Sequence, residues 1–374
     1  MRSAIGRLLE RVRAPARRAS VSGRLLESLG QVDWAGLEGA DQLLLSGWVG
    51  SSRGGAQGFR VRCGGRELAM SEVAVGIASP EVAQFIPNAP HFERAGFRFR
   101  VALGAPGMQA LRGQLIRITP IFDGRPGMDL LTVVDPLVPR PSVEEVSLVG
   151  ENLNVAFEFL NYFIEFCGLW PAAAVLDVGC GVGRMAYGLA HVLNDEGSYE
   201  GFDIVERFIQ VAAARFQSLA NFRFHHVDVL NGLYNPGGKL IPSEFRFPYR
   251  DASFDLVVLA SVFTHMRPEE VSHYLDEIRR VLRPGGKCLA SVFLLERESK
   301  RLIACGRAPL PLRPVDGGFY AADPANPEWA IGHEEDAVLD ALARRGFRSE
   351  RILRGSWCGR SAFTSYQDVL IFGR

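Results

Sequence analysis

The stretch Val175-Leu176-Asp177-Val178-Gly179-Cys180-Gly181-Val182-Gly183-Arg184 decides the architecture of this chain. An apolar run of strand length ends in three alternating glycines and passes into a helix expected over Arg184–Leu193. Glycine lets the backbone turn sharply and lets a ligand approach with no Cβ in its way. A glycine-rich turn alone is weak evidence, because many kinds of nucleotide-binding protein carry one. The spacing narrows the choice. In the dinucleotide fingerprint G-x-G-x-x-G a third glycine would stand where this chain has Arg184, and a carboxylate, Asp177, precedes the loop. A loop built for pyrophosphate gains nothing from that negative charge.

Downstream, apolar runs and helical periodicity alternate. Strands are expected at Tyr199–Asp203, Phe222–Val227, Leu256–Ser261 and Lys287–Leu294, with helices at Arg207–Leu219 and Pro268–Leu282 between them. A further helix, Asn152–Leu169, precedes the first strand at Val175–Val178. This order predicts a parallel sheet covered by helices on both faces. The second strand ends in Asp203, about 20 residues past the loop, where such folds grip a ribose diol. The third is followed by Asp228, a carboxylate able to accept from an exocyclic amine. Three acids around one glycine loop suit a ligand with a cationic centre, an adenosine and no phosphates.

Upstream the texture differs. From about 42 to 140, the segments Gln42–Val49, Gly58–Cys63, Gly96–Leu103 and Gln114–Ile121 read as short strands separated by glycine-rich turns, which predicts an all-β sandwich. Within it His91, Glu93 and Asp123 stand apart and form no catalytic set. The proline-dense run from Asp135-Pro136 to Pro139-Arg140-Pro141 reads as a linker. Residues 1–40 form a basic amino-terminal segment, partly helical or disordered. Its first 24 residues hold seven arginines and a single acid, Glu10, with Ile5, Leu8, Leu9 and Val12 at helical spacing. A solvated, frayed terminus is the preferred reading. The alternatives are a basic amphipathic helix on an anionic membrane surface, or an organellar presequence.

The 374 residues carry 42 basic and 42 acidic side chains, and this zero balance argues against general nucleic-acid binding. The basic count includes only three lysines, Lys239, Lys287 and Lys300. Six cysteines (63, 167, 180, 288, 305, 358) form no CxxC pair, so neither a disulfide frame nor a zinc site is expected. No apolar stretch reaches about 18 residues, so no membrane-spanning helix is expected either.

With these pieces in order, residues 150–374 resemble a class I S-adenosylmethionine-dependent methyltransferase. The resemblance rests on Val175–Arg184, Asp203, Asp228, Ser253-Phe254-Asp255-Leu256-Val257-Val258-Leu259-Ala260-Ser261 and Ile278–Lys287. It implies a Rossmann-like seven-stranded sheet whose last strand, Gln367–Phe372, is antiparallel. It implies that Gly179 and Gly181 touch the methionine moiety and that Asp203 holds the ribose. Asp228 would hold the adenine amine, and Leu259-Ala260-Ser261 would face the sulfonium. Asp177, Cys180, Arg184, Ile204 and Val229 complete the expected cofactor set.

Methyl transfer to a hydroxyl needs alignment and a base within hydrogen-bond reach of the acceptor proton. His265, just past the fourth strand, is the first candidate and His333 the second; either could equally be a packed structural histidine. His225 and His226 point to opposite faces of a strand, so no metal is expected there. Glu269 and Glu270 read as acids at a helix start. Two long insertions, Asn231–Arg250 and Glu296–Trp329, are expected to shape the acceptor pocket. Ser46-Gly47-Trp48-Val49, Pro87, Pro90 and Ala95-Gly96-Phe97 resemble a small β domain found beside bacterial glycan-synthesis enzymes. The segments around Ser261–His265 and Tyr366–Val369 are similar to methyltransferases associated with surface polysaccharides. The expected function is O-methylation of a sugar or surface-glycan precursor by a cytoplasmic protein, with residues 1–24 a candidate contact at the inner membrane face. A phenolic or lipid small-molecule acceptor, or a non-catalytic cofactor-binding scaffold, are the alternatives.

Overall fold

The computed structural model describes residues 25–374 apart from 39–40, 53, 87–89, 104–110, 143, 146–147 and 149–153. Residues 1–24, with the amphipathic helix expected there, lie outside the described residues.

The amino-terminal strands are β1 (Ser28–Glu38), β2 (Gln42–Ser51), β3 (Gly54–Gly55), β4 (Gly58–Cys63) and β5 (Arg66–Leu68), then β6 (Met70–Ile77), β7 (Gly96–Ala102), β8 (Ile116–Phe122), β9 (Arg125–Pro126) and β10 (Leu130–Thr132). They form two antiparallel sheets, β1-β2-β7-β6 with β3 beside β2, and β10-β8-β4-β5 with β9 beside β8. Alternation decides which side chains meet between them. Along β7, Phe97, Phe99 and Val101 are buried with Leu43, Leu45, Phe59 and Val61, while Arg98 and Arg100 point away.

Several strands escaped the sequence reading, the two longest being β1 and β6. β1 falls inside the span assigned to the basic segment. A bulge between Val32 and Trp34, together with Gly30 and Gly36, breaks its two-residue period. β6 is largely exposed along its length and so carries no apolar alternation.

The expected linker is also revised. Val138 is 1% exposed and belongs to one apolar cluster with Met128, Leu131 and Val133 from the β region and Phe157, Phe159 and Phe163 from the helix Asn154–Glu165. Asn161 Nδ2 donates to the Asp129 carbonyl at 2.8 Å, and Thr364 Oγ1 donates to the Leu26 carbonyl at 3.0 Å. A proline-dense segment is stiff and apolar, and here it packs instead of tethering.

The carboxy-terminal sheet begins with β11 (Ala174–Val178), β12 (Ser198–Asp203), β13 (Phe222–His226), β14 (Phe254–Leu259) and β15 (Leu282–Leu295). Their spatial order is β13-β12-β11-β14-β15, all parallel. The remaining strands are β16 (Arg313–Val315), β17 (Phe319–Ala321), β18 (Ile331–Glu334), β19 (Arg348–Leu353) and β20 (Asp368–Gly373). On the edge away from β14, the long β15 serves two neighbours. Lys287–Val292 pair antiparallel with β20, which pairs with β19, whereas Phe293–Leu295 pair parallel with β18. The sheet has ten strands, three more than expected, because the second insertion contributes β16 and β17 and the chain just after it contributes β18. The reversal of order between β11 and β14 opens a crevice at their carboxyl ends, where such sheets take ligands.

Candidate active site

β11 delivers Asp177 to that crevice, 1% exposed. Its Oδ2 accepts a hydrogen bond from the Tyr199 hydroxyl at 2.7 Å, and its buried Oδ1 has no hydrogen-bond partner. Burial, with Asp203 as a nearby like charge, outweighs the Tyr199 hydrogen bond and raises the Asp177 carboxyl to about 7. Tyr199 was missed by the sequence reading, because it sits near the start of β12, away from the strand end, and looks like an ordinary core aromatic.

After Asp177 the chain turns left-handed at Gly179, Gly181 and Gly183, with φ of 70°, 55° and 81°. A Cβ on Gly179 would lie 2.6 Å from Cγ2 of Val262, so both conformation and space demand glycine. The loop's N–H groups are turned inward. Those of Gly179 and Cys180 donate to the Phe202 carbonyl, that of Gly181 to Asp203 Oδ2 at 2.8 Å, and that of Gly183 to the Cys180 carbonyl. A phosphate cradle needs such donors aimed at the ligand; here four are spent inside the protein.

A cavity of about 450 Å³ follows the loop. Of the residues expected to bind cofactor, Asp177, Gly179, Cys180, Gly181, Arg184, Asp203, Ile204, Val229, Ala260 and Ser261 line it. Asp203 is 7% exposed and accepts from Gly181 N and Val205 N; burial raises its carboxyl while these hydrogen bonds oppose the rise. Enclosure lowers the Arg184 guanidinium to about 10, which still leaves it charged at neutral pH. Ser261 has φ +60°, an uncommon conformation for a non-glycine residue, and its N–H donates to Ser291 Oγ.

Asp228 is not among the cavity residues, which corrects its expected place. The chain leaves the sheet after His226, and alternation buries Val227 and Val229 while Asp228 turns outward. Its carboxylate accepts from Asn235 Nδ2 at 3.2 Å and faces Lys239 at 3.6 Å.

His265 lies on the cavity wall beside Tyr234, ring centroids 5.2 Å apart. Its Nδ1 is 2.8 Å from the Glu328 carbonyl oxygen. A carbonyl can only accept, so Nδ1 carries the proton and Nε2 is left as the basic nitrogen in the neutral ring. Desolvation holds the imidazole below its usual range, so the neutral form prevails at pH 7. His333 does not reach the cavity. It is buried, its Nε2 is bonded to the Phe263 carbonyl at 3.0 Å, and burial lowers it too. The sequence places it beside two acids; the fold places it under the 3₁₀ turn that presents His265.

Three further residues matter here. Glu328 accepts the Gly232 N–H through its carboxylate while its carbonyl orients His265, so one residue ties both insertions to the candidate base. Glu270 accepts the Arg267 N–H as a helix cap and also lines the cavity. Gln367 lines it as well and is reached by Ser261 Oγ at 3.2 Å. Only their tertiary neighbours distinguish these from surface residues. No cluster of three or more metal-ligating side chains exists among the described residues, and none of the described helices is long and apolar enough to cross a membrane.

Residues 175–286 match the family model described as a methyltransferase domain. A demethylmenaquinone methyltransferase from Bacillus cereus is 27% identical over 159 residues, 39% of this chain and 61% of the relative. One from Bacillus anthracis gives the same identity and coverage. The chain thus spans about 61% of the length of these curated relatives. Among solved structures, a SAM-dependent methyltransferase from Aquifex aeolicus is 15% identical with a TM-score of 0.40, covering 63% of this chain and 98% of that one. Magnesium protoporphyrin IX methyltransferase from Synechocystis, with bound SAH, is 18% identical with a TM-score of 0.38, covering 63% and 89%. The carboxy-terminal region is thus similar in sequence to methyltransferase domains.

Proposed function

We propose that this chain is an S-adenosylmethionine-dependent methyltransferase that methylates a hydroxyl of a sugar or surface-glycan precursor. The observation carrying the cofactor reading is the chemistry of the strand-end cavity. Its glycine loop spends its N–H donors internally, and Asp177 presents a buried, unpartnered oxygen. Such a wall rejects phosphate and suits a cation.

When bound, S-adenosylmethionine supplies a methyl group on a positively charged sulfur. Asp177 and the loop at Gly179–Gly181 would hold the amino-acid tail, with Arg184 opposite its carboxylate. Asp203 and Ile204 would hold the ribose, Val229 would pack on the base, and Ala260 and Ser261 would flank the sulfur. His265 Nε2 takes the acceptor's hydroxyl proton as the oxygen gains its methyl group, and the Glu328 carbonyl keeps the ring in the tautomer that can do so. Orientation of the two reactants provides most of the acceleration, and the base contributes on the order of 10²–10⁴-fold.

The sugar acceptor is supported by the resemblance of the β region to domains beside glycan-synthesis enzymes. A small-molecule acceptor is the second reading, favoured by relatives named demethylmenaquinone methyltransferases. Calorimetry with S-adenosylmethionine, followed by tritium transfer into nucleotide sugars, glycan fragments and quinols, separates them by which acceptor gains label. Binding without transfer to any acceptor would favour a scaffold. Cytoplasmic location and membrane contact through residues 1–24 belong to the same proposal. Loss of pelleting with anionic vesicles on deleting those residues would support the basic helix, and no change would favour the frayed terminus.

A further inference from the structure

Resting on that reading, we infer that the acceptor is amphipathic: a hydroxyl-bearing head enters the cavity while an attached hydrocarbon chain lies across an apolar collar at its mouth. Four residues belong to the cavity wall and to the outer surface at once, namely Leu230, Tyr234, Trp329 and Tyr366, each 40–54% exposed. Their neighbours Leu233, Leu240 and Ile241 extend the same surface, 44–51% exposed. Of thirteen large hydrophobics exposed among the described residues, four line this opening from three separate segments, and three more adjoin two of them along the 230–241 stretch, where Leu230 N bonds the Leu240 carbonyl. Chance scatter would not concentrate them so, and a contiguous exposed apolar patch marks a surface that something covers.

The collar is held open by fixed backbone. Leu230 N donates to the Leu240 carbonyl, Asn231 and Asn235 exchange two backbone hydrogen bonds, and Glu328 clamps Gly232. These side chains therefore face water because the fold holds them there. Polarity runs from acids and His265 inside to leucine, isoleucine and aromatic rings outside. A free sugar would leave that rim wet. A chain joined to the head would cover it, and continuity of collar with cavity wall makes the two parts one ligand.

The test uses the full chain and calorimetry with methyl, hexyl, heptyl and octyl glucosides, each below its micelle-forming concentration. The series is run on the cofactor-free protein and on protein loaded with S-adenosylhomocysteine. Affinity is expected to rise about fourfold per methylene. A Leu240→Ser, Ile241→Ser variant, altered outside the cavity wall, should flatten that rise while binding S-adenosylhomocysteine as before. Affinity independent of chain length in the unaltered protein would overturn the inference and leave the cofactor reading standing. Failure of S-adenosylhomocysteine to bind would refute the cofactor reading, and the series on the cofactor-free protein would still decide the collar. Phosphatidylglycerol vesicles pelleting the protein through Leu240 and Ile241, with no glucoside bound, would make the collar a membrane contact and overturn the inference.

Discussion

Asp177 and His265 carry the residue-scale chemistry, and both are tuned by burial. Burial raises the Asp177 carboxyl to about 7, so it is partly protonated near neutral pH in the free protein, and an adjacent cation would favour its ionised form. Cofactor affinity should therefore weaken as pH falls through 7, by up to about tenfold per unit, in calorimetric titrations between pH 5 and 8. An affinity flat across that range would remove Asp177 from the cation site. The same raised value costs stability once pH passes the ordinary carboxylate range. Asp177→Asn should thus bind cofactor at least tenfold more weakly. Its melting temperature relative to the parent should climb between about pH 4 and pH 7 and level off above, a gain bought by losing function. His265→Gln should lower kcat about 10²–10⁴-fold with cofactor affinity kept. At saturating cofactor, kcat in the unaltered protein should hold down to below pH 6.5, because the imidazole is displaced downward. Full turnover by the Gln variant would dismiss it as the base.

Among the elements, the second insertion does the most unexpected thing. Sequence reading predicts a pocket-shaping loop over Glu296–Trp329. The chain forms a helix at Arg297–Ala304, then strands β16 and β17, and with β18 it extends the main sheet. That order places Glu328 where its carbonyl meets His265 and its carboxylate meets Gly232. Removing the carboxylate in Glu328→Ala should free the 231–235 turn. Hydrogen exchange should quicken at residues 231–240 and 327–334, and kcat should fall about tenfold with cofactor affinity changed less than threefold. Unchanged exchange in both segments would mean that Glu328 is no clamp.

On the scale of the whole molecule, the β region and the carboxy-terminal α/β region share one core. Met128, Leu131, Val133 and Val138 pack in the same cluster as Phe157, Phe163 and Tyr187. Unfolding should be a single transition in which cofactor binding and β-region signals vanish together. Leu131→Ala, which hollows the shared cluster, should destabilise that one transition by about 2–5 kcal/mol. Two separate melting steps, with only the first shifted, would show that the regions fold independently.

The parallel sheet, the glycine loop and the acids Asp177 and Asp203 are legible in the sequence, because periodicity and glycine spacing are local and each strand end places its own residue. Asp228 is misread for a related reason: alternation is local, but the exact residue at which a chain leaves its sheet is set by neighbours such as Lys239 and Leu240. β1 and β6 stay hidden because a bulge and near-complete exposure erase the apolar pattern that would betray them. Local pattern in the chain sufficed for the α/β fold class and for the acids at the strand ends. Tertiary structure alone decided which histidine faces the cavity, which nitrogen it offers and what rims the mouth, since those depend on contacts between residues dozens of positions apart.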